Sequence, residues 1–135
     1  MERPQPALWE LEVITFTVPL PPRELSPNTY RHWRTVSAAK KQYRELSEYM
    51  NKGRFGKVPP EHVRLSLTFC IKDAKGKFYQ PRDAANALSS FKAGIDGLVD
   101  AGMCPDDSQK HLELGAILID SKRGPFVLVE VEPIE

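Results

Sequence analysis

Four stretches of the chain have the hydrophobic pattern of β-strands. Residues 11–18 are rich in β-branched and aromatic side chains, and residues 62–72 alternate regularly between apolar and polar positions, as expected for a strand with one buried face. Residues 112–119 and 126–131 form two further apolar runs. Because the intervening "DSKRGP" is turn sequence, we predict that these last two strands pair as a hairpin.

Two other stretches repeat apolar residues at helical spacing. The core stripe of the first is Val36, Ala39, Tyr43, Leu46 and Met50. The second runs from about residue 84 to residue 101, and its core stripe is Leu88, Phe91, Ile95 and Leu98. Gly102 is well placed to end this second helix. The order β-α-β-α-β-β predicts an α+β fold, in which two helices pack on one face of a mixed β-sheet.

The composition is that of one globular domain, which we expect to span residues 1–135. No apolar run approaches the ~20 residues that a membrane-spanning helix needs, and the first six residues do not resemble a signal peptide. The two cysteines, of which Cys70 is expected to be a buried thiol, do not have the spacing of a metal site. We therefore expect a cytoplasmic protein with no membrane partner.

The net charge of +1 conceals a strongly basic segment at residues 31–57. Its cations are Arg31, Arg34, Lys40, Lys41, Arg44, Lys52, Arg54 and Lys57, and its only acidic residues are Glu45 and Glu48. Such a segment can form a phosphate-binding face. The alternative is an ordinary solvated helix surface, which charge alone favours.

Acidic residues surround the second helix. Asp83 stands at its start, where a carboxylate favourably meets the helix dipole, and Asp106 and Asp107 follow its end. Positions 85, 89, 92 and 96 share one stripe of the helix, beside the core stripe, so Lys92 and Asp96 are expected at a rim where helix and sheet meet.

Carboxylates grouped with a lysine and an asparagine suit Mg²⁺, which prefers oxygen ligands and needs only two or three carboxylates besides water. In phosphodiester hydrolysis the metal activates water and neutralises developing charge, and a nearby lysine adds to that stabilisation. The alternative is that these aspartates only cap helix ends and turns, since "PDDS" is good turn sequence in its own right.

The same stretch resembles the RusA family of Holliday-junction resolvases, which are common in bacteria and their phages. The family pattern is roughly Asp-x-Asp-Asn, a helix lysine, Asp-x-Leu, Ala-Gly and Asp-Asp-x-Gln. The matching residues are Asp83, Asn86, Lys92, Asp96, Leu98, Ala101, Gly102, Asp106, Asp107 and Gln109. "LSPNTYRHWR" and "GPFVLVEVE" are also similar to family members, so the likeness runs from about residue 14 to residue 132.

The resemblance implies a homodimer that nicks a four-way DNA junction symmetrically, with one Mg²⁺ or Mn²⁺ site in each subunit, acting in DNA recombination and repair. The implied catalytic residues are Asp83, Asn86, Lys92 and Asp107, and the implied metal ligands are Asp83, Asp106 and Asp107. The implied DNA-binding residues are Arg31, Arg34, Lys40, Lys41, Arg44, Lys75, Lys77 and Arg82. Phe78 and Tyr79 would lie either at the branch point or in the dimer interface, and Trp33 is expected in the core rather than stacked on a base.

Position 85 departs from the family, which usually has a second aspartate there. Losing a carboxylate ligand removes most Mg²⁺-dependent activity, because the number and charge of the ligands set the affinity. Three explanations of Ala85 are open: a site rebuilt from Asp83, Asp106 and Asp107, a protein that binds junctions without cutting them, or an engineered inactivating substitution. The expected function is therefore a structure-selective endonuclease or an impaired junction-binding protein of the same fold, with an unrelated metabolic enzyme as a third class.

Overall fold

The computed structural model describes residues 12–27, 32–75 and 78–134, which form four strands and three α-helices in the order β-α-β-α-α-β-β. The strands are β1 (Ile14–Val18), β2 (Val63–Cys70), β3 (Leu112–Asp120) and β4 (Phe126–Pro133), and the helices are α1 (Trp33–Met50), α2 (Ala84–Ser90) and α3 (Lys92–Asp100). The predicted α+β class is thus confirmed. In these residues, no helix combines the length and the apolar character that crossing a membrane requires.

The sheet is mixed, as predicted, but the predicted hairpin is wrong. The strand order is β1-β4-β2-β3, so β2 lies between the two strands that were expected to pair. Phe69 of β2 is opposite Ile119 of β3 in a parallel ladder and opposite Val127 of β4 in an antiparallel ladder. The turn after β3 therefore carries the chain across β2, and β4 becomes a central strand that also pairs with β1.

One face of the sheet carries the core. In β2 the apolar residues of the predicted alternation are at most 1 % exposed, whereas Arg64, Ser66 and Thr68 between them are partly exposed. Phe91, which joins α2 to α3, meets Phe69 of this face edge-on at 5.9 Å between ring centroids, and meets Tyr43 of α1 at 6.0 Å. The helices therefore pack against the buried face of the sheet around this aromatic cluster.

The predicted second helix is in fact two helices that meet at Phe91. This residue has φ −96° and ψ 2°, outside the helical region, and its N–H bonds to the carbonyl of Leu88 at 3.1 Å, three residues back. Of the predicted core residues, Phe91, Ile95 and Leu98 are buried, whereas Leu88 is only partly buried. The Phe91 ring lies in the core, and the side chain of the next residue, Lys92, lies at the surface.

Gly102 ends α3, as predicted. Its φ is +99°, its N–H bonds to Val99 O at 2.9 Å, and the N–H of Met103 bonds to Leu98 O at 3.0 Å. This pair of bonds is the Schellman motif, which needs a residue with positive φ at this position. The reversal of the chain brings Asp107 back alongside the first residue of α3, Lys92.

The core stripe predicted for α1 is only partly correct. Ala39 and Tyr43 are buried, but Leu46 and Met50 are about 40 % exposed. The expectation that Trp33 lies in the core is wrong, since its side chain is 66 % exposed. Trp33 is the first residue of α1 and lies about 17 Å along the helix axis from Arg44, where α1 packs on α3, so it is remote from that contact.

The helices α1 and α3 approach each other most closely at Gly97. A Cβ atom there would lie 2.4 Å from Arg44 O and 2.6 Å from Ser47 Cβ. The Ser47 hydroxyl crosses the same contact and donates to Gly94 O at 2.8 Å. The absence of a side chain at position 97 is therefore what allows α1 to lie against α3.

We expect Gly97→Ala to lower the free energy of unfolding by about 1–3 kcal/mol, because overpacking outweighs the gain of ~1 kcal/mol in helix propensity. Urea denaturation followed by circular dichroism measures the change. Ser37→Ala, at an exposed position of α1, is the matched control and should be close to neutral. Equal stability of Gly97→Ala and the unchanged chain would show that the helices separate at little cost.

Candidate functional site

Two surface grooves meet at the junction of α2 and α3. The first, which we call the basic groove, has a volume of about 700 Å³. Its charged lining consists of Lys40, Lys41, Arg44 and Lys92 against Glu24 and Asp96, and Ser89 is among its other lining residues. The second, which we call the carboxylate groove, has a volume of about 880 Å³ and is lined by Ala85, Ser89, Lys92, Asp107, Gln109 and Leu114, among others. Ser89 and Lys92 line both grooves, so a ligand that extends from one groove to the other passes these two residues.

Lys92 is the centre of the polar contacts at this junction. Its ammonium group donates to Asp96 Oδ1 at 2.9 Å and also to Asp107 Oδ2. The bond to Asp107 is the main reason that the pKa of Lys92 is raised, and the same bond lowers the pKa of Asp107. The lysine is therefore fully charged at neutral pH and bridges a carboxylate of its own helix to one on the following loop.

Asp83 caps α2, as its position in the sequence suggested. Its Oδ1 accepts the backbone N–H of Asn86 at 2.9 Å, and its Oδ2 accepts the Asn86 side-chain amide at 2.8 Å. Both carboxylate oxygens thus bind Asn86. This exposed pair fixes the first turn of α2, which places Ala85 and Ser89 along the carboxylate groove.

Asp106 is held within its own turn. Its Oδ1 accepts the backbone N–H of Ser108 at 2.8 Å. Hydrogen bonding to Ser108, first from the side chain and then from the backbone, lowers the pKa of Asp106. Its Oδ2 lies 4.0 Å from Nε2 of His111. The structure therefore brings Asp107 to Lys92 and Asp96, whereas Asp83 and Asp106 each bind local partners.

Within the described part of the chain, no three His, Cys, Asp or Glu side chains are grouped so that they could hold a metal ion. The metal-binding roles expected of Asp83, Asp106 and Asp107 thus stay a prediction. The carboxylate groove is lined by two acidic side chains, Asp107 and Glu113, and Glu113 is already paired with Arg64 at 2.9 Å. The alanine at position 85 lies on the same groove as Asp107 and Lys92.

The residues predicted to bind DNA differ in their surroundings. Lys40 and Lys41 line the basic groove, and no carboxylate of the described residues is in ion-pair distance of either. Arg44 lines it too, but its guanidinium binds both oxygens of Asp100, at 2.6 and 2.9 Å, and lowers the pKa of that carboxyl. Arg44 is thus mainly a link between α1 and α3.

Arg34, Lys75 and Arg82 do not line either groove. Arg34 follows Trp33 at the start of α1, with its Cζ 5.3 Å from the indole ring. Lys75 and Arg82 are exposed in the segment before α2. Arg31 and Lys77 lie outside the described residues.

The predicted aromatic pair is anchored to the segment that follows β1. Phe78 forms an isolated antiparallel bridge with Pro22, and the N–H of Tyr79 bonds to Pro21 O at 3.0 Å. Both residues are partly buried. Neither the branch-point role nor the interface role expected of them is tested by these contacts.

Three residues of the site were not recognised as functional from the sequence. Asp96 was placed at the rim but not in the site, although its spacing of four residues from Lys92 is the usual signal of a helix ion pair. Ser89 lies on the stripe that contains Ala85 and Lys92, and that stripe could have identified it. Asp100, the partner of Arg44, is distant in sequence and gave no such signal.

The chain matches no family model. An uncharacterized protein of Xylella fastidiosa (strain Temecula1) is 37 % identical over an alignment of 93 positions, and the alignment covers 64 % of this chain and 56 % of that protein. The chain thus spans little more than half the length of this curated relative. The relative is described without an activity, so the functional argument rests on the residues of the two grooves.

Proposed function

We propose that the protein is a RusA-like, structure-selective endodeoxyribonuclease that binds four-way junctions and other branched DNA as a homodimer and nicks them slowly in its present form. Mg²⁺ or Mn²⁺ is the proposed cofactor. The observation that carries the proposal is the position of Lys92, where a groove lined by lysines meets a groove that contains a carboxylate.

The basic groove supports binding to a phosphate backbone. Lysines without a carboxylate partner can bind phosphate oxygens and release counterions from the DNA, and such contacts give affinity with little sequence information. Lys40 and Lys41 meet this description within the described residues. A protein that recognises the shape of a branch rather than its sequence needs contacts of this kind.

The carboxylate groove supports chemistry on a phosphodiester next to that backbone. A phosphate near Lys92 would lie beside a fixed ammonium group, which stabilises negative charge that develops on the phosphate oxygens. The residues as they stand do not complete a Mg²⁺ site, because the two carboxylates that line the groove are already paired, Asp107 with Lys92 and Glu113 with Arg64. We therefore assign no step of the reaction to a metal and expect slow cleavage.

The second candidate is a junction-binding protein of the same fold that does not cut DNA. It is favoured by Ala85, because this position lies on the groove that holds Asp107 and Lys92 and contributes no ligand. The two candidates share the basic groove and differ only in hydrolysis. The third class is an unrelated metabolic enzyme. Only a result in which DNA binding is absent or insensitive to salt would favour it.

The experiment that tests the proposal compares a synthetic four-way junction with a linear duplex of the same sequence in an electrophoretic mobility assay. We expect the junction to be bound more tightly and to resist competition by the duplex. The same complexes, incubated with Mg²⁺ or Mn²⁺, should yield slow, paired nicks at symmetric positions. Equal affinity for junction and duplex would contradict structure selectivity, and absence of binding to either would contradict the proposed function.

We expect the double variant Lys40→Ala/Lys41→Ala to weaken junction binding and to reduce its salt dependence. Each lysine that neutralises a duplex phosphate contributes about 0.9 to the slope of log K against log salt concentration. Fluorescence anisotropy at several salt concentrations measures this slope. Lys122→Ala, in the turn between β3 and β4 and away from the grooves, is the control and should leave the slope unchanged. An unchanged slope in the double variant would exclude the basic groove as the phosphate contact.

A further inference from the structure

Trp33 is a large aromatic side chain held at the protein surface. Its side chain is 66 % exposed although it is the first residue of an 18-residue helix. The ring is stacked with His32 at 5.8 Å between centroids and 27° between planes, and the guanidinium carbon of Arg34 lies 5.3 Å from its centre. Its two sequence neighbours therefore restrict the orientation of the indole while most of its surface stays accessible.

The indole lies on the side of α1 that forms the basic groove. At 100° per residue, Lys40 and Arg44 lie within about 20° of Trp33 around the helix, and Lys41 lies within about 80°. With a rise of 1.5 Å per residue, Lys40 is about 10 Å further along the axis and Arg44 about 17 Å. An exposed aromatic ring thus continues the row of cations toward the start of α1.

We propose that Trp33 stacks on an unpaired base of the DNA strand whose phosphates lie along Lys40 and Lys41. This inference rests on the proposed function and specifies the feature of the substrate that the basic groove recognises. Alternating cations and aromatic rings are the usual means of binding a single strand, because every base has a π-face and every nucleotide a phosphate. A paired base inside a duplex has both faces covered by its neighbours, so only a nucleotide that has left the stack can contact the indole.

A surface tryptophan by itself would not support this assignment, since single exposed apolar residues are common. Two observations distinguish Trp33. The ring is restrained by His32 and Arg34, which reduces the entropy lost on stacking. Lys40 lies on the same side of the helix as Trp33, about 10 Å further along the axis. One or two nucleotides can span this distance, so a base on Trp33 and a phosphate on Lys40 can belong to one strand.

Tryptophan fluorescence tests the proposal directly. The chain has two tryptophans, so Trp9→Phe leaves Trp33 as the only source of the signal. Titration of this variant with a short single-stranded oligothymidylate should quench the fluorescence, and an abasic strand of the same length should leave it nearly unchanged. Quenching by the abasic strand to the same extent would overturn the proposal, because phosphates alone would then account for the signal.

Substitution separates stacking from charge. Trp33→Ala should weaken binding of the oligothymidylate about 5- to 150-fold, the range that corresponds to one aromatic–base stack, while the slope against salt concentration stays the same. Trp33→Phe should retain part of the affinity. Tyr49→Ala is the matched control, because Tyr49 is an exposed aromatic residue of the same helix, about 160° around the axis from Trp33, and its loss should have no effect.

The possible results distinguish this inference from the function on which it rests. If Trp33→Ala binds the four-way junction and the oligothymidylate as tightly as the unchanged chain does, the stacking role is overturned. The proposed function is then left intact. Failure of the unchanged chain to bind either DNA would overturn both. Thermal denaturation of each variant verifies that the exposed substitutions leave the fold in place.

Discussion

Ala85→Asp is expected to nick a four-way junction in the presence of Mg²⁺ at least about 100-fold faster than the unchanged chain, since even groups outside the first coordination shell change metal affinity or activity by 10- to 100-fold. The new carboxylate would line the same groove as Asp107. Position 85 is exposed in the first turn of α2, where an acidic side chain is favourable, so the variant should fold normally. Denaturing electrophoresis of a labelled junction under single-turnover conditions measures the rate.

Two controls identify the cause of the gain. Ala85→Asn has nearly the same shape without the charge and should remain slow. Adding Asp107→Asn to Ala85→Asp should abolish cleavage while junction binding is kept. If the double variant still cleaves the junction, Asp107 is not part of the catalytic site. If Ala85→Asp binds the junction but leaves it intact, the result favours the binding protein over the nuclease.

Phe91→Ala is expected to lower the free energy of unfolding by about 3–5 kcal/mol, the cost of removing a fully buried aromatic ring from a core. The ring is 0 % exposed and contacts Tyr43 and Phe69, so its loss leaves a cavity between the helices and the sheet. Because Lys92 directly follows this ring, junction binding should weaken as well. Chemical denaturation and anisotropy measure the two effects.

Phe91→Leu keeps most of the apolar volume and should lose clearly less stability than Phe91→Ala. A loss of stability in Phe91→Ala within the ±0.5 kcal/mol typical of surface substitutions would mean that the aromatic cluster does not hold the helices on the sheet.

Local pattern was sufficient to predict the elements but not their pairing. The alternation in β2 and the glycine at position 102 each report on one element, and both predictions are confirmed. The hairpin prediction failed because "DSKRGP" indicates a turn but does not determine which strands β4 pairs with after that turn. That choice depends on β4, whose Val127, Val129 and Val131 are completely buried between β1 and β2.

The site was predictable where its contacts are local in sequence. Asp83 bonds to Asn86 three residues later, and Lys92 to Asp96 four residues later, spacings that a helix makes neighbours. Contacts between different helices and strands could not be predicted from the spacing of residues in the sequence. The pairing of Arg44 with Asp100 depends on how closely α1 approaches α3, and the exposure of Trp33 depends on where along α1 the contact with α3 ends.

The position of β4 also affects how the protein forms during synthesis. In the described structure β1 pairs only with β4, although more than a hundred residues separate them in the chain. While the ribosome is still translating the segments before β4, β1 has no ladder to join and one edge of β2 is open. The sheet therefore becomes continuous only after this late strand has emerged and has joined β1 to β2.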